Sequence, residues 1–428
     1  MKNFALFLVF VCLITSRLYS QEDFNFIGAG ARQAGMGYAF IGIADDATAL
    51  SCNPSGLSQL RKTEISLVAR YTISKNEQST ATGTNNNTNK FNALSVNFVS
   101  VAYPVSIGDK RLVIGLSYQT QLDYTNIVKK ETVFPTYTMD YKMDQNTRVN
   151  TISLGGAYNF LPWFSLGLAL NKWFSLGGNE TTYQYNGTFT PDNRKIKLED
   201  NYDGVNFVVG ALFNIEQINS KLPLKLGIKF FSPFDLKDDQ KFTLNLTDLS
   251  IKGNTTQNRT FEYPSMIGAG ASYKIGDFFT IACDYEIRQF KDKKQTNKTF
   301  NHYEYTGTSV TFIGDTTFKK NITQSNSNIN QFRIGLEYIL HPETLLIPIR
   351  VGFKTNPTQY ANMKNNIPTD QCVGKSFNMG FGLVLKRCSF DIAYENYSYE
   401  QTSSLGTAKT TNKRTFNYFN FSTIYYFK

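Results

Sequence analysis

The amino-acid sequence predicts an all-β protein, a 14-stranded antiparallel transmembrane β-barrel. Three observations lead there. Long segments alternate apolar with small or polar residues. Short and long connections alternate along the chain. No apolar run is long enough to cross a bilayer as a helix, which takes about 20 residues. Aromatics make up 14% of the 428 residues and charged residues 18%. That aromatic content excludes a disordered chain. A barrel dilutes its apolar residues by alternation.

Residues 1–20 read as an export signal. Lys2 supplies the positive start and Phe4 to Thr15 the apolar core, too short to span a bilayer. Leu18-Tyr19-Ser20 ends on a small residue, so cleavage is expected before Gln21. Cys12 lies inside the apolar core, which argues against a lipoprotein. The whole chain carries a net charge of +10, and losing Lys2 and Arg17 keeps the mature protein basic. The expected partners of that charge are outer-membrane lipid and surface glycolipid. Nucleic acid is not expected, because no Lys/Arg stripe appears. Cys52, Cys283, Cys372 and Cys388 lack CxxC spacing, and His302 and His341 lie far apart. Neither metal nor cofactor is expected.

Residues 61–428 carry the barrel pattern. Leu112, Ile114, Leu116, Tyr118 and Leu122 fall on one face, against Arg111, Gly115, Ser117, Gln119 and Gln121 on the other. Phe332 to Leu340 and Leu345 to Phe353 repeat it. Period two places successive side chains on opposite faces of a strand. The strands are expected at 62–75, 91–105, 111–124, 146–160, 163–175, 201–216, 222–236, 261–274, 277–292, 329–341, 344–356, 375–387, 388–402 and 414–428. Long polar loops are expected between them, the longest at 293–328. Short periplasmic turns and long outer loops are the barrel signature. Phe419, Phe421, Tyr425 and Phe427 give the last strand an aromatic face. One strand breaks phase. Leu94, Val96 and Phe98 are followed by Val99, Val101 and Tyr103, so a β-bulge or an inward apolar residue is expected there.

Residues 21–60 do not alternate. Gly28, Gly30, Gly35, Gly37 and Gly42 sit among small and apolar residues, a composition suited to tight packing in a confined space. Asp45 or Asp46 is placed to cap a short helix over Ala47–Leu50, and Asn53-Pro54 is a stop or turn signal. A dinucleotide-binding reading of the glycines lacks its strand–turn–helix setting.

Gly30-Ala31-Arg32, Gly35-Met36-Gly37, Ala39-Phe40, Ala44-Asp45-Asp46-Ala47 and Asn53-Pro54-Ser55-Gly56-Leu57 resemble the N-terminal signature of the FadL/TodX family of outer-membrane transporters for long-chain fatty acids and hydrocarbons. Glu262-Tyr263-Pro264 is similar to the same family. Ser55 stands where the family string has Ala. The resemblance implies that residues 21–60 form a hatch in the lumen. It makes Gly35, Met36, Gly37, Phe40, Asp45, Asp46, Asn53 and Pro54 the hatch and ligand-binding candidates. It also implies a ligand landing site on outer loops, where Tyr183, Tyr185, Phe189, Phe242 and Leu244 are the aromatic and apolar residues.

Strand parity points Glu64, Arg70, Arg111, Lys225, Lys229, Asp284, Glu286, Arg288, Arg333, Glu337, Arg350, Lys354, Lys386, Asp391 and Glu395 into the lumen. A charge on the lipid face costs about 2–4 kcal/mol near the midplane. These charges hold the hatch by salt bridges, or a cation such as Arg333 or Arg350 meets a carboxylate. Neither histidine sits on a strand beside a serine, so no enzyme is expected. The reading is passive uptake of a hydrophobic small molecule, a fatty acid or hydrocarbon, through the lumen and a lateral opening, by a monomer in the outer membrane of a Gram-negative cell. The alternative is a PorV-type accessory barrel of a protein secretion system.

Overall fold

The computed structural model describes residues 26–80, 87–107, 110–133, 138–187, 194–246, 251–300, 302–306, 309–314, 318–323, 327–341, 345–365, 367–406 and 408–427. The signal segment expected at 1–20, and Phe189, lie outside them. In chain order the strands are β1 (Glu64–Thr80), β2 (Asn87–Ile107), β3 (Lys110–Asp123), β4 (Asn126–Val133), β5 (Thr138–Asn146), β6 (Arg148–Leu161), β7 (Phe164–Phe174) and β8 (Glu180–Gly187). Next come β9 (Arg194–Glu199), β10 (Tyr202–Asn214), β11 (Leu224–Phe231), β12 (Phe234–Leu246), β13 (Ile251–Tyr263), β14 (Met266–Ile275), β15 (Phe279–Arg288) and β16 (Lys294–Phe300). The last are β17 (His302–Thr306), β18 (Ser309–Gly314), β19 (Phe318–Thr323), β20 (Ile329–Leu340), β21 (Ile347–Lys364), β22 (Ile367–Val384), β23 (Cys388–Leu405) and β24 (Ala408–Tyr426).

Antiparallel pairing runs from β1 through β2, β3, β6, β7, β10, β11, β14, β15, β20, β21, β22 and β23 to β24. β24 returns to β1, from Glu64↔Tyr426 to Thr80↔Thr410. The wall therefore closes on itself, the arrangement that lets strands cross a bilayer. β7 shows why the sequence folds this way. Leu166, Leu168 and Leu170 point out, while Ser165, Ala169, Asn171 and Trp173 are buried inside. The outward face runs from Phe164 beside Trp163 and Phe213 to the Lys172–Asp203 ion pair. At about 3.3 Å per residue, tilted, that length matches an apolar band of roughly 25 Å.

The chain has more strands than the fourteen expected for the barrel: further strands lie outside the closed wall, making one sheet of 22 strands with a separate hairpin of β17 and β18. Segments read as loops are strands. β4, β5, β8, β9, β12, β13, β16 and β19 pair in that order and continue the wall beyond the apolar band. Their apolar residues, such as Tyr141, Met143, Tyr183, Tyr185 and Ile196, are few and set among polar ones, so period two carries only a weak apolar signal there. The strand expected at 261–274 is interrupted at Pro264: β13 ends at Tyr263 and β14 begins at Met266, because proline cannot donate to the ladder.

The phase break in β2 is a bulge. Val68 pairs with Phe98 and Ala69 with Val96, leaving Asn97 extra. Asn97 and Phe98 are both buried, while Leu94, Val96 and Val99 point out. A second slip, unforeseen, lies in β3 between Thr120 and Leu122. It turns Leu122 inward into an aromatic core, so its expected outward place is corrected. Lys386 is also corrected: it is exposed in the β22–β23 turn, not lumenal.

Residues 29–60 lie inside the closed wall and are almost wholly buried. The chain forms α1 (Ala31–Gly35), α2 (Ala49–Cys52) and a 3₁₀ turn over Pro54–Gln59. The short helix thus starts two residues later than expected; Asp46 Oδ1 instead accepts from the Thr48 amide at 2.8 Å. Asn53 ends α2 and accepts from the Ser55 hydroxyl at 2.7 Å. Inward glycines of the wall make room for this segment. A Cβ on Gly352 would sit 2.1 Å from Gly37 N, and one on Gly167 2.3 Å from Ser55 N.

Candidate functional site

The site consists of this segment, the wall charges that grip it, and two cavities above and beside it. Arg32 forms a fork with Glu337, both bonds at 3.0 Å, and donates to Asp45 at 2.5 Å. Glu337 also accepts from Arg350 at 2.6 Å, and Arg350 donates to Asp391 at 2.5 Å. Asp284 accepts from the amides of Phe40 and Ile41 at 2.7 and 2.9 Å. Asn53 donates to the carbonyls of Ile41 and Ala211 at 2.9 and 3.3 Å. Glu64 accepts from Ala47 N at 3.0 Å. Buried backbone groups of an irregular segment need such partners, and strand-borne charges supply them.

The candidate residues from the sequence all lie in this buried segment or on the wall facing it. Gly35 lies against Gly380 and Arg350, and Gly37 takes φ +60 against Phe353. Met36 and Phe40 are fully buried in the segment's own core, with the Arg32 guanidinium 5.3 Å from the Phe40 ring. Asp45 and Asp46 face Arg32; burial raises the Asp46 carboxyl above its usual range, and Arg32 opposes that. Pro54 abuts Gly210 and Gly167. None of these residues lines either cavity. Arg350 is committed to two carboxylates, whereas Arg333 lines the smaller cavity.

The larger cavity has a volume of about 740 Å³. Its floor is Phe26–Gly28 and Tyr38, and its walls are the extended-end halves of β1, β2, β21, β23 and β24 with parts of β4, β5 and β8. Aromatic rings such as Phe91, Tyr397, Tyr399 and Tyr418 alternate there with Arg70, Asn76, Lys354 and Glu395. Glu395 accepts from Tyr38 at 2.9 Å and pairs with Lys354 at 2.8 Å, while Arg70 donates to the Tyr38 hydroxyl at 3.0 Å. Burial first, then Glu395, pushes the Tyr38 phenol well above its usual value, so it stays a donor. Sequence reading missed Phe26, Ile27 and Tyr38. Their signal was an aromatic beside glycines in a segment otherwise small.

One stretch of wall is weakly joined. Ladder pairing of β2 with β3 stops at Phe98↔Gln119. Beyond it, side chains bridge the seam: Thr120 Oγ1 to Val96 O at 3.3 Å, and Asn87 Nδ2 to Lys129 O at 2.6 Å. Residues 27–29 cross its inner side. Ile27 donates to Gln121 O at 3.0 Å and its carbonyl accepts from Gln119 at 2.6 Å. From β2, the bulged Asn97 donates to Gly28 O at 2.8 Å. The Phe26 ring is held by Trp173, Phe231 and Tyr263 at centroid distances of 5.6, 5.5 and 6.0 Å.

Comparison with known proteins follows this geometry. A family model described as BamG matches residues 2–343. A search of curated proteins finds no match. Among solved structures, the chain is similar to a Pseudomonas aeruginosa FadL homologue at 14% identity and TM-score 0.65, covering 95% of this chain and all of that one. It is similar to the P. putida toluene transporter TodX at 13% identity and TM-score 0.60, covering 95% and 99%. The Ralstonia pickettii toluene transporter TbuX matches at 13% identity and TM-score 0.56, covering 94% and 99%. These likenesses establish the FadL-type barrel fold.

Proposed function

The chain belongs to the BamG family, and from that premise we propose that it is an outer-membrane barrel for passive uptake of hydrophobic compounds such as long-chain fatty acids or hydrocarbons. Residues 21–60 are its hatch. The observation that carries the reading is the seam between β2 and β3, which borders the large cavity through Phe91, Ala93, Tyr124 and Val128. Residues 27–29, of which Ile27 and Gly28 floor the cavity, close that seam from inside. A ligand entering from the extended end rests among the aromatic rings, displaces the strap, and leaves sideways into the bilayer. Transfer of apolar surface from water contributes about 25 cal/mol per Å², and Arg70 and Lys354 suit a polar head. The toluene transporters TodX and TbuX, which share this fold, support a hydrophobic substrate. A monomer suffices, since one chain closes the wall.

A second reading, a PorV-type accessory to protein secretion, draws on the outer extension. Within the main sheet, β19 pairs with β16, and among the described residues its other edge shows no pairing, a docking edge for a polypeptide. Native mass spectrometry of protein purified in mild detergent separates the two. A co-purified fatty acid or hydrocarbon, lost when Tyr397→Ala and Tyr418→Ala are combined, supports uptake. A stoichiometric protein partner with no small molecule favours the second reading.

A further inference from the structure

The outward surface of the wall changes character at the short-turn end. Aromatic rings face out there in a chain of contacts. Tyr158 meets Phe160 at a centroid distance of 4.9 Å, Phe160 meets Phe164 at 6.3 Å, and Trp163 lies 6.4 Å from Phe213. Further round the wall, Phe278 meets Tyr338 at 5.8 Å and Tyr425 meets Phe427 at 4.9 Å. Such a girdle marks a bilayer interface. Just beyond it come cations. Arg61, Lys62, Lys110, Lys221, Lys386 and Arg387 are exposed, and none of the six has a carboxylate partner among the described residues. Lys274, also exposed, meets Asp277 at 3.2 Å. Lys110 lies 5.7 Å from the Tyr158 ring, the placement of a side chain that snorkels from the girdle. Among the described residues, Glu216 and Asp277 are the exposed carboxylates of that end. With Asp109, Glu343 and Lys428, which the sequence places in or beside the same turns, the end carries eight cations and four acids. The opposite end mixes its charges, as in the pairs Lys75–Glu77 and Lys142–Asp144.

The cations also encircle the wall. Arg61 and Lys62 precede β1, Lys110 opens β3, Lys221 lies between β10 and β11, Lys274 is near the end of β14, and Lys386 and Arg387 join β22 to β23. A folded protein partner touches one arc of such a circle, whereas a lipid leaflet meets all of it. We propose that this ring binds the phosphodiester head groups of anionic phospholipid, of the phosphatidylglycerol kind, in the leaflet at the short-turn end. A lysine or arginine near an anionic surface is attracted to it within a Debye length. Ammonium and guanidinium donors form charge-assisted bonds to phosphate oxygens. The aromatic girdle sets the depth, so the cations stand at head-group height. The ring fixes the level of the barrel whatever the barrel carries, and it rests only on the membrane setting proposed above.

The test uses Trp163, which lies on the wall between Lys110 of β3 and the β10–β11 turn of Lys221. The second tryptophan, Trp173, is fully buried and out of reach of lipid. The purified protein is placed in vesicles of phosphatidylcholine brominated on its acyl chains, which quenches an indole in contact with it. Unbrominated phosphatidylglycerol or phosphatidylcholine is mixed in as competitor. At low salt, phosphatidylglycerol is expected to relieve the quenching about five-fold more effectively, the discrimination one cation supplies near an anionic surface. At about 0.5 M salt, where charges are screened within roughly 4 Å, the two lipids are expected to compete equally. Lys110→Gln with Lys221→Gln is expected to lose the preference. Lys386→Gln with Arg387→Gln, on the far side of the wall, is expected to keep it. Should the first variant not fold, the salt series on the wild type carries the test. Equal relief by the two lipids at low salt would overturn the proposal and leave the ring to an acidic protein. So would a preference that survives high salt or the folded Lys110→Gln, Lys221→Gln variant. No quenching in either mixture would contradict the membrane placement itself, and the proposal with it.

Discussion

At the residue scale, parity alone placed most lumenal charges. Arg70, Asp284, Glu286, Arg288, Arg333, Glu337, Arg350, Asp391 and Glu395 are buried inside the wall, because a charge facing hydrocarbon has no solvent. Parity failed where the chain gains a residue. Leu122 follows the bulge at Gln121 and turns inward, and no apolar neighbour after it in the sequence reveals the slip. The inward glycines were legible only as small residues, although they mark the surface against which residues 29–60 pack. Gly352 tests this. Its added Cβ would meet the backbone of Met36 and Gly37, which cannot move as a side-chain tip does. Gly352→Val is expected to leave the wall paired but expel the hatch, at a cost of about 1–3 kcal/mol for overpacking. Planar-bilayer conductance then rises above the wild type. Wild-type conductance with an unshifted unfolding midpoint would show that the segment does not pack there.

At the element scale, the wall strands were readable and the outer extension was not. β7 alternates leucine with smaller or buried residues because one face points out of the wall and the other into it. β12 alternates apolar residues only toward its two ends, Phe234 with Leu236 and Phe242 with Leu244, and across the charged stretch between them its tie to β13 is electrostatic. Arg259 reaches Asp238 at 2.6 Å and Asp200 at 2.9 Å. Burial of Asp238 raises its carboxyl to about 6 despite Arg259. A carboxyl raised on folding adds stability below its unfolded pKa near 4 and loses it as pH rises through about 6. Arg259→Ala removes the only cation paired with both carboxylates among the described residues. The expected cost is about 3–5 kcal/mol at pH 8, and less at pH 5, where Asp238 is protonated. Unfolding midpoints followed by circular dichroism at the two pH values give the comparison. An equal loss at both would mean that Asp238 is not the group concerned.

At the scale of the whole molecule, the strap at residues 27–29 lies across the weak seam of the wall. The sequence showed the phase break near Phe98 but not that Asn97, Gln119 and Gln121 would hold the strap, because contacts between segments so far apart leave no periodic trace. The most direct measurement is a reversible lock. Ile27→Cys with Gln121→Cys joins strap to β3, where Ile27 N already lies 3.0 Å from Gln121 O. The half-buried Cys283 and Cys388 are replaced by serine in the same chain. Uptake of a radiolabelled long-chain fatty acid into cells is then compared before and after reduction. The account predicts little uptake in the oxidised form and wild-type uptake once the disulfide is reduced. Equal uptake in both forms would contradict a route through the seam.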